Sequence, residues 1–267
     1  MNRIKKKTRS SYAVITGASS GIGRSFAKYL ALEGYSLILI ARRIDRLNEI
    51  KEELSPLMAD GAICITYKLD VTNEDACYDF MHFMRDHRIG IFINNAGFGD
   101  CSLFSEGSTD KQLEMIDVNV KAMHLFTKLV LKKMNRQGYG YLLNVASSAG
   151  LMPAGPYMAT YYASKAYVTS LTRAIARELA EKKSPVYIGC LCPGPVDTEF
   201  NSIANVEFSL PGISADDCAR MALKEMKKRT TVIVPTLSMK AAVTLSELLP
   251  GCITIPIISR LQKRKLR

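Results

Sequence analysis

Tyr12 to Gly23 reads YAVITGASSGIG: a short apolar strand, then a turn with glycine at 17, 21 and 23. Arg24 to Glu33 then carries its apolar residues at helical spacing. Strand, glycine turn and helix make a phosphate cradle, because glycines permit close backbone approach and a helix N-terminus offers free N–H groups and partial positive charge. The spacing is G-x-x-x-G-x-G rather than the commoner G-x-G-x-x-G. A structural turn without a ligand is the competing reading, weakened because this turn opens a βαβ unit.

Outward from that turn the chain alternates. Ser36 to Ala41 (SLILIA) is an apolar second strand, followed by Arg42, Arg43 and a helix over Ile44 to Ala59. A third strand, Ala62 to Leu69, ends in Asp70-Val71-Thr72 and leads to a helix over Asn73 to Arg88. A fourth, Ile89 to Ile93, runs into Asn94-Asn95-Ala96-Gly97, and a long helical stretch from Asp110 to Arg136 holds Asn119. Tyr139 to Ala146 is the fifth strand, Ala159 to Lys183 a helix, and Val186 to Cys192 a sixth strand closed by Pro193-Gly194. Alternation at these lengths predicts an α/β fold with a parallel sheet covered on both faces. The glycine turn, Asn94 to Gly97, Ser148 and Pro193-Gly194 all then fall at the strands' carboxyl ends, where such sheets bind ligands.

Ser147 and Ser148 end the fifth strand, and Tyr161 and Lys165 lie four residues apart on the following helix, hence on one face. An ammonium beside a phenol favours the phenolate, which at a reference pKa of about 10 needs such help to exchange protons near neutrality. A serine hydroxyl from another element can hydrogen-bond an oxygen on which charge develops. The set suits moving a proton on and off a carbonyl or alcohol oxygen. Alone, Tyr-x-x-x-Lys arises by chance on any amphipathic helix; its weight comes from the elements before it. A site preferring NAD places an acidic residue near the end of the second strand. Here stand Ala41, Arg42 and Arg43, which suit a 2′-phosphate and predict NADP, unless the arginines merely open the next helix.

At 267 residues, with 48% apolar and 23% charged residues, the chain is expected to be one globular domain with a full core. The net charge of +11 is concentrated at its ends. Arg3, Lys5, Lys6, Lys7, Arg9, Arg260, Lys263, Arg264, Lys265 and Arg267 carry ten charges, leaving the body at +1, which argues against a nucleic-acid-binding face. Solubilising ends and docking on an anionic membrane are the two readings of that pattern. Seven cysteines without a Cys-x-x-Cys pair, and no apolar leader run, point to reduced thiols in the cytoplasm. Cys190 and Cys192 are expected in core packing. His82, His87 and His124 have no ligand spacing, so no metal is expected.

Taken together, TGASSGIG (16–23), NNAG (94–97), Asn119, Ser148, Tyr161, Lys165 and PGPVDT (193–198) resemble the short-chain dehydrogenase/reductase family, from about Tyr12 to Thr198 in order and spacing. The resemblance implies a single Rossmann-type, doubly wound domain with about seven strands. It also implies a tetrad: Tyr161 as acid/base, Lys165 holding the nicotinamide ribose and lowering the tyrosine pKa, Ser148 polarising the carbonyl, and Asn119 anchoring a water relay. The family's thirteen-residue interval to the tyrosine picks Ser148 over Ser147, and Tyr162, three residues from Lys165, is given a packing role. Cofactor contacts implied are Gly17, Ser19, Ser20, Gly21, Ile22 and Gly23 in the turn; Arg42 and Arg43; and Asp70 and Val71 beside the adenine. Asn95, Ala96 and Gly97 would lie on the adenosine side, with Pro193, Gly194, Val196 and Thr198 at the nicotinamide and phosphates. Ser20 stands where many NADP-preferring relatives carry a basic residue, which leaves dual cofactor use open.

The expected organisation is a basic arm (1–10), a catalytic domain (11–237) and a C-terminal extension with a basic end (238–267). Glu199 to Ile213 is expected as a flap, with Phe98, Leu103, Phe104, Leu151, Met152 and Met158 around an apolar pocket, although the same residues also suit plain burial. Ser214 to Arg229 reads as a helix capped by Ser214. Met239 to Leu261 is broken by Glu247, Pro250, Gly251 and Pro256, too interrupted for a spanning helix of about 20 residues. It is expected to cover the pocket or a subunit interface, with an anionic membrane surface as the alternative. The functional expectation is an NADP-dependent oxidoreductase interconverting a carbonyl and an alcohol on a lipophilic substrate such as a hydroxysteroid, working in lipid metabolism as a homodimer or homotetramer. The alternatives are a 3-oxoacyl reductase and a non-catalytic nucleotide-binding regulator; an intact tetrad argues against the latter.

Overall fold

The computed structural model describes residues 11–200, 204 and 212–264. The basic arm, most of the expected flap, and Lys265 and Arg267 lie outside the described residues.

Seven parallel strands form the central sheet: β1 (Tyr12–Thr16), β2 (Ser36–Ala41), β3 (Cys64–Lys68), β4 (Ile89–Asn94), β5 (Tyr141–Val145), β6 (Tyr187–Leu191) and β7 (Val232–Ile233). Their spatial order is β3-β2-β1-β4-β5-β6-β7. The sheet grows outward from β1 in one direction, then resumes on its other side at β4. The crevice beyond the carboxyl ends of β1 and β4 is therefore the topological switch point where such sheets take ligands.

Alternation along the strands feeds two cores. In β2, Leu37 and Leu39 face the core built with α1 (Gly21–Leu32), α2 (Ile44–Leu54) and α7 (Ala215–Lys227), while Ile38 and Ile40 face the other. That second core gathers Phe80 of α3 (Glu74–Phe83), Phe92 of β4 and Phe126 of α5 (Met123–Gln137), with α6 (Ala159–Glu181) laid alongside. Burial on both faces is why these strands are apolar runs rather than alternating ones. The predicted strands and helices are all present, with ends shifted by a few residues. Ser214 caps α7 by accepting from the Asp217 N–H at 3.0 Å. Cys190 of β6 and Cys192 just beyond it pack in the core with thiols 3.8 Å apart, and no disulfide joins any of the seven cysteines.

Two segments differ from expectation. The long helix is interrupted: α4 (Thr109–Ile116) passes into a π-helical turn, Asp117–Ala122, before α5. The extension is a pair of helices, α8 (Leu237–Leu248) and α9 (Gly251–Lys263), separated at Leu249-Pro250. Among the described residues no helix is long and apolar enough to cross a membrane, and no cluster of three His, Cys, Asp or Glu side chains gathers to hold a metal ion.

A buried polar network ties the two middle strands to the helices. Asn94 Nδ2 donates to the Met123 carbonyl at 3.0 Å and to Asn144 Oδ1 at 3.3 Å. Thr127 Oγ1 donates to Asn144 Oδ1 at 3.1 Å, and Asn144 Nδ2 donates to Thr172 Oγ1 at 2.9 Å. Asn144→Ala strands three buried partners at once, and should lower unfolding free energy by about 2–3 kcal/mol in urea titration; an unchanged midpoint would show that water replaces the network.

Candidate active site

The glycine turn is pinned from beneath. Gly17 and Gly21 have φ of +64° and +53°, which only glycine adopts without strain. A Cβ on Gly23 would strike the Gly17 carbonyl and lie 2.7 Å from Asn95 Nδ2. Asn95, just past β4, donates through Nδ2 to the carbonyls of Thr16 and Gly17 at 3.0 and 3.1 Å. Thr16 Oγ1 accepts the N–H groups of Asn95 and Ala96 at 2.9 and 3.0 Å. The turn's shape is thus set by side chains from two adjacent strands before any ligand is considered.

Above it opens a cavity of about 740 Å³, within the ordinary range for small-molecule sites. Every predicted cofactor-contact residue lines it except Gly23, which is buried beneath the turn. Asn95 lines the cavity, but its amide is committed to the turn. Asp70 likewise spends its carboxylate on the Thr72 N–H and hydroxyl, at 3.0 and 2.8 Å, shaping the loop after β3. At the far end Arg42 pairs with Glu114 at 3.2 Å. Arg43 bonds Ser19 Oγ at 3.2 Å and Glu199 at 3.0 Å. The Arg43 guanidinium and the Ser20 hydroxyl hold Glu199 below the usual carboxylate range.

Tyr161 and Lys165 share the buried face of α6 and line the same cavity. Burial pushes the Tyr161 phenol up to about 12, opposed by a hydrogen bond with the Ser147 side chain. Lys165 Nζ donates to the Val145 carbonyl at 3.0 Å and lies 5.8 Å from the centre of the Tyr161 ring. Burial lowers Lys165 to about 8. The ammonium's bonded partner is the end of β5, and burial is the largest influence on both groups.

Both serines at the end of β5 line the cavity. Ser147 is extended, with φ −169°, and caps a 3-10 turn over Ser148–Leu151, its Oγ accepting from the Ala149 N–H at 3.1 Å. Ser148 lines the cavity from inside that turn, with its N–H on the Pro193 carbonyl at 2.8 Å.

Asn119 sits in the π-helical turn, fully buried and outside the cavity lining. Its Nδ2 donates to the Phe98 carbonyl at 2.8 Å and to Ser164 Oγ at 3.2 Å, while Oδ1 accepts the Phe98 N–H at 3.1 Å. A Cβ on Gly97 would meet Asn119 Oδ1 at 2.8 Å and Lys165 Nζ at 3.2 Å, so the amide braces the wall directly behind the lysine.

The other half of the cavity is apolar. Phe98, Met152 and Met158 line it as expected, and the Phe200 ring packs 5.6 Å from that of Tyr161. Leu103 and Phe104 do not: they are 44% and 67% exposed. Leu151 turns away to pack near Val168. Sequence reading placed the extension over a pocket or interface without naming residues; Ile258, Leu261 and Gln262 of α9 line the cavity. Gln262 Nε2 meets the Tyr162 hydroxyl at 2.5 Å, so Tyr162 both packs and anchors α9.

A glycine cradle, a buried tyrosine–lysine pair and a serine hydroxyl facing one cleft are accompanied by a direct match: the chain belongs to the short chain dehydrogenase family, whose model matches residues 11–207. It is 31% identical over 200 residues to cattle dehydrogenase/reductase SDR family member 11, covering 73% of this chain and 78% of that protein. It is 32% identical over 216 residues to mouse 17-beta-hydroxysteroid dehydrogenase type 3, covering 80% and 68%. Among solved structures it resembles a short-chain dehydrogenase from Sphingobium yanoikuyae in complex with NADPH, with TM-score 0.78, 27% identity and 90% and 96% coverage. A Burkholderia phymatum member in complex with NAD gives TM-score 0.79, 26% identity and 89% and 93% coverage. The chain is an oxidoreductase of the short-chain type, acting on CH–OH groups.

Proposed function

We propose that this enzyme is an NADP(H)-dependent reductase of a lipophilic ketone or aldehyde, with Tyr161 as the proton donor. The observation that carries the reading is that buried Tyr161 and Lys165 open, with Ser148, on the same cavity as the glycine turn. A dinucleotide held in the glycine cradle would supply the hydride from its nicotinamide ring. The chain's own residues do the rest. A carbonyl oxygen within reach of Ser148 Oγ and Tyr161 Oη accepts two hydrogen bonds, and these strengthen as charge builds on it. The Tyr161 proton then passes to that oxygen, and the Lys165 ammonium offsets the charge left on the phenolate. Asn119, with its amide fully engaged, fixes the wall that positions Lys165.

The 2′-phosphate preference rests on the donors around Glu199. Arg43 and Ser20 already gather a carboxylate beside the glycine turn, and Arg42 stands next to them. The same set suits the extra phosphate of NADP, and no acidic residue at the end of β2 repels it. The apolar wall of Phe98, Met152, Met158 and Ile258, together with the hydroxysteroid dehydrogenase relative, supports a lipophilic substrate. Exposed Leu113 and Ile116 on α4 and Tyr167 on α6 supply apolar surface for a homo-oligomer, and seven cysteines outside any disulfide suit the cytoplasm.

Ser148→Ala should lower kcat for ketone reduction by about 10²–10³-fold, the usual loss for one such hydrogen-bond donor, while Ser147→Ala stays within tenfold. Equal losses, or the reverse order, would give the role to Ser147. Arg42→Ala and Arg43→Ala should each raise the NADPH KM by about tenfold or more, in line with one charge-assisted hydrogen bond, and leave the NADH KM within about twofold. Equal changes for both cofactors would remove the NADP preference.

A further inference from the structure

Helix α9 has two faces of different kinds. Thr254, Ile258 and Gln262, at i, i+4 and i+8, are buried against the protein. The stripe one residue earlier, Ile253, Ile257 and Leu261, is 47%, 51% and 45% exposed. Arg260, Lys263 and Arg264 stand exposed around the last turn of this helix. Its predecessor α8 repeats the pattern, with Leu237, Leu245 and Leu248 exposed at 81%, 57% and 76%. Large aliphatic side chains at helical spacing on the outer face of two consecutive helices mark an interaction surface rather than scattered exposure.

Charge selects the partner. From Leu237 to the end of the chain the bases are Lys240, Arg260, Lys263, Arg264, Lys265 and Arg267, and Glu247 is the sole acid. Pairing this surface with a second copy of itself would bring two basic groups together with almost no compensating acid. An anionic lipid surface offers both complements, acyl chains for the leucine and isoleucine stripe and headgroups for the bases. We propose that α8 and α9 dock the enzyme peripherally on an anionic bilayer, with Ile253 and Ile257 entering the acyl boundary and Arg260, Lys263 and Arg264 at the headgroups. The helix that closes the cavity with one face then meets lipid with the other, so covering the pocket and docking on a membrane are compatible roles of one segment.

Full-length protein sedimented with phosphatidylcholine vesicles, with and without phosphatidylserine, tests this. Binding is expected only with phosphatidylserine and should weaken as salt is raised. Arg260→Gln, Lys263→Gln and Arg264→Gln together should weaken partitioning about a hundredfold, on the order of fivefold per base. Ile253→Glu with Ile257→Glu should abolish it, with melting temperature and elution volume unchanged for both variants, since none of these side chains lines the cavity. Failure of the wild-type chain to sediment with either vesicle, or undiminished binding by both variants, would overturn the proposal. Loss of oligomeric mass in the Ile253/Ile257 variant without loss of vesicle binding would also overturn it, by assigning the stripe to a second copy.

Discussion

The end of β5 supplies the constraint on which the site depends. Val145 presents its carbonyl to the Lys165 ammonium at 3.0 Å, and just beyond it Ser147 and Ser148 line the cavity that Tyr161 also faces. A buried ammonium needs a hydrogen-bond acceptor, and a β-strand carbonyl at a fixed height is a rigid one. Because strand end and helix α6 are locked in this way, phenol and ammonium keep their separation without a bond between them. The Asn94–Asn144–Thr172 network, one residue deeper in β5, holds the same strand to the same helix.

The glycine turn is fixed independently and meets that arrangement across the switch point. Thr16 and Asn95 stitch β1 to β4, and β4 pairs with β5, so the cradle and the strand end that holds Lys165 belong to one sheet. Burial then tunes the chemistry. It raises the phenol and lowers the ammonium, leaving one a protonated donor and the other close to losing its charge in mildly alkaline solution.

Much of this was legible in the sequence because it is local. Strand runs, the glycine spacing and the four-residue interval on α6 each report short-range geometry, and all six strands read from the pattern are present. What escaped depends on contacts that spacing does not encode. The π-helical turn around Asn119 looks like ordinary helix in its residue types. Leu103 and Phe104, apolar and near the catalytic loops in sequence, point to solvent, whereas Ile258 and Gln262, nearly a hundred residues beyond Tyr161, complete the cavity. Long-range packing placed them there, and β7, only two residues long, is too short to show a period.

The most direct measurement is the pH dependence of kcat/KM for NADPH-driven ketone reduction, in the wild-type enzyme and in Tyr161→Phe. Lys165 carries its charge below about 8 and loses it above, while the phenol keeps its proton up to about 12. Reduction should therefore be level through neutrality and fall as pH rises through about 8, and Tyr161→Phe should bind NADPH yet lose turnover across the whole range. A rate that climbs through that region, or a phenylalanine variant that still turns over, would contradict a protonated, buried Tyr161 as the donor.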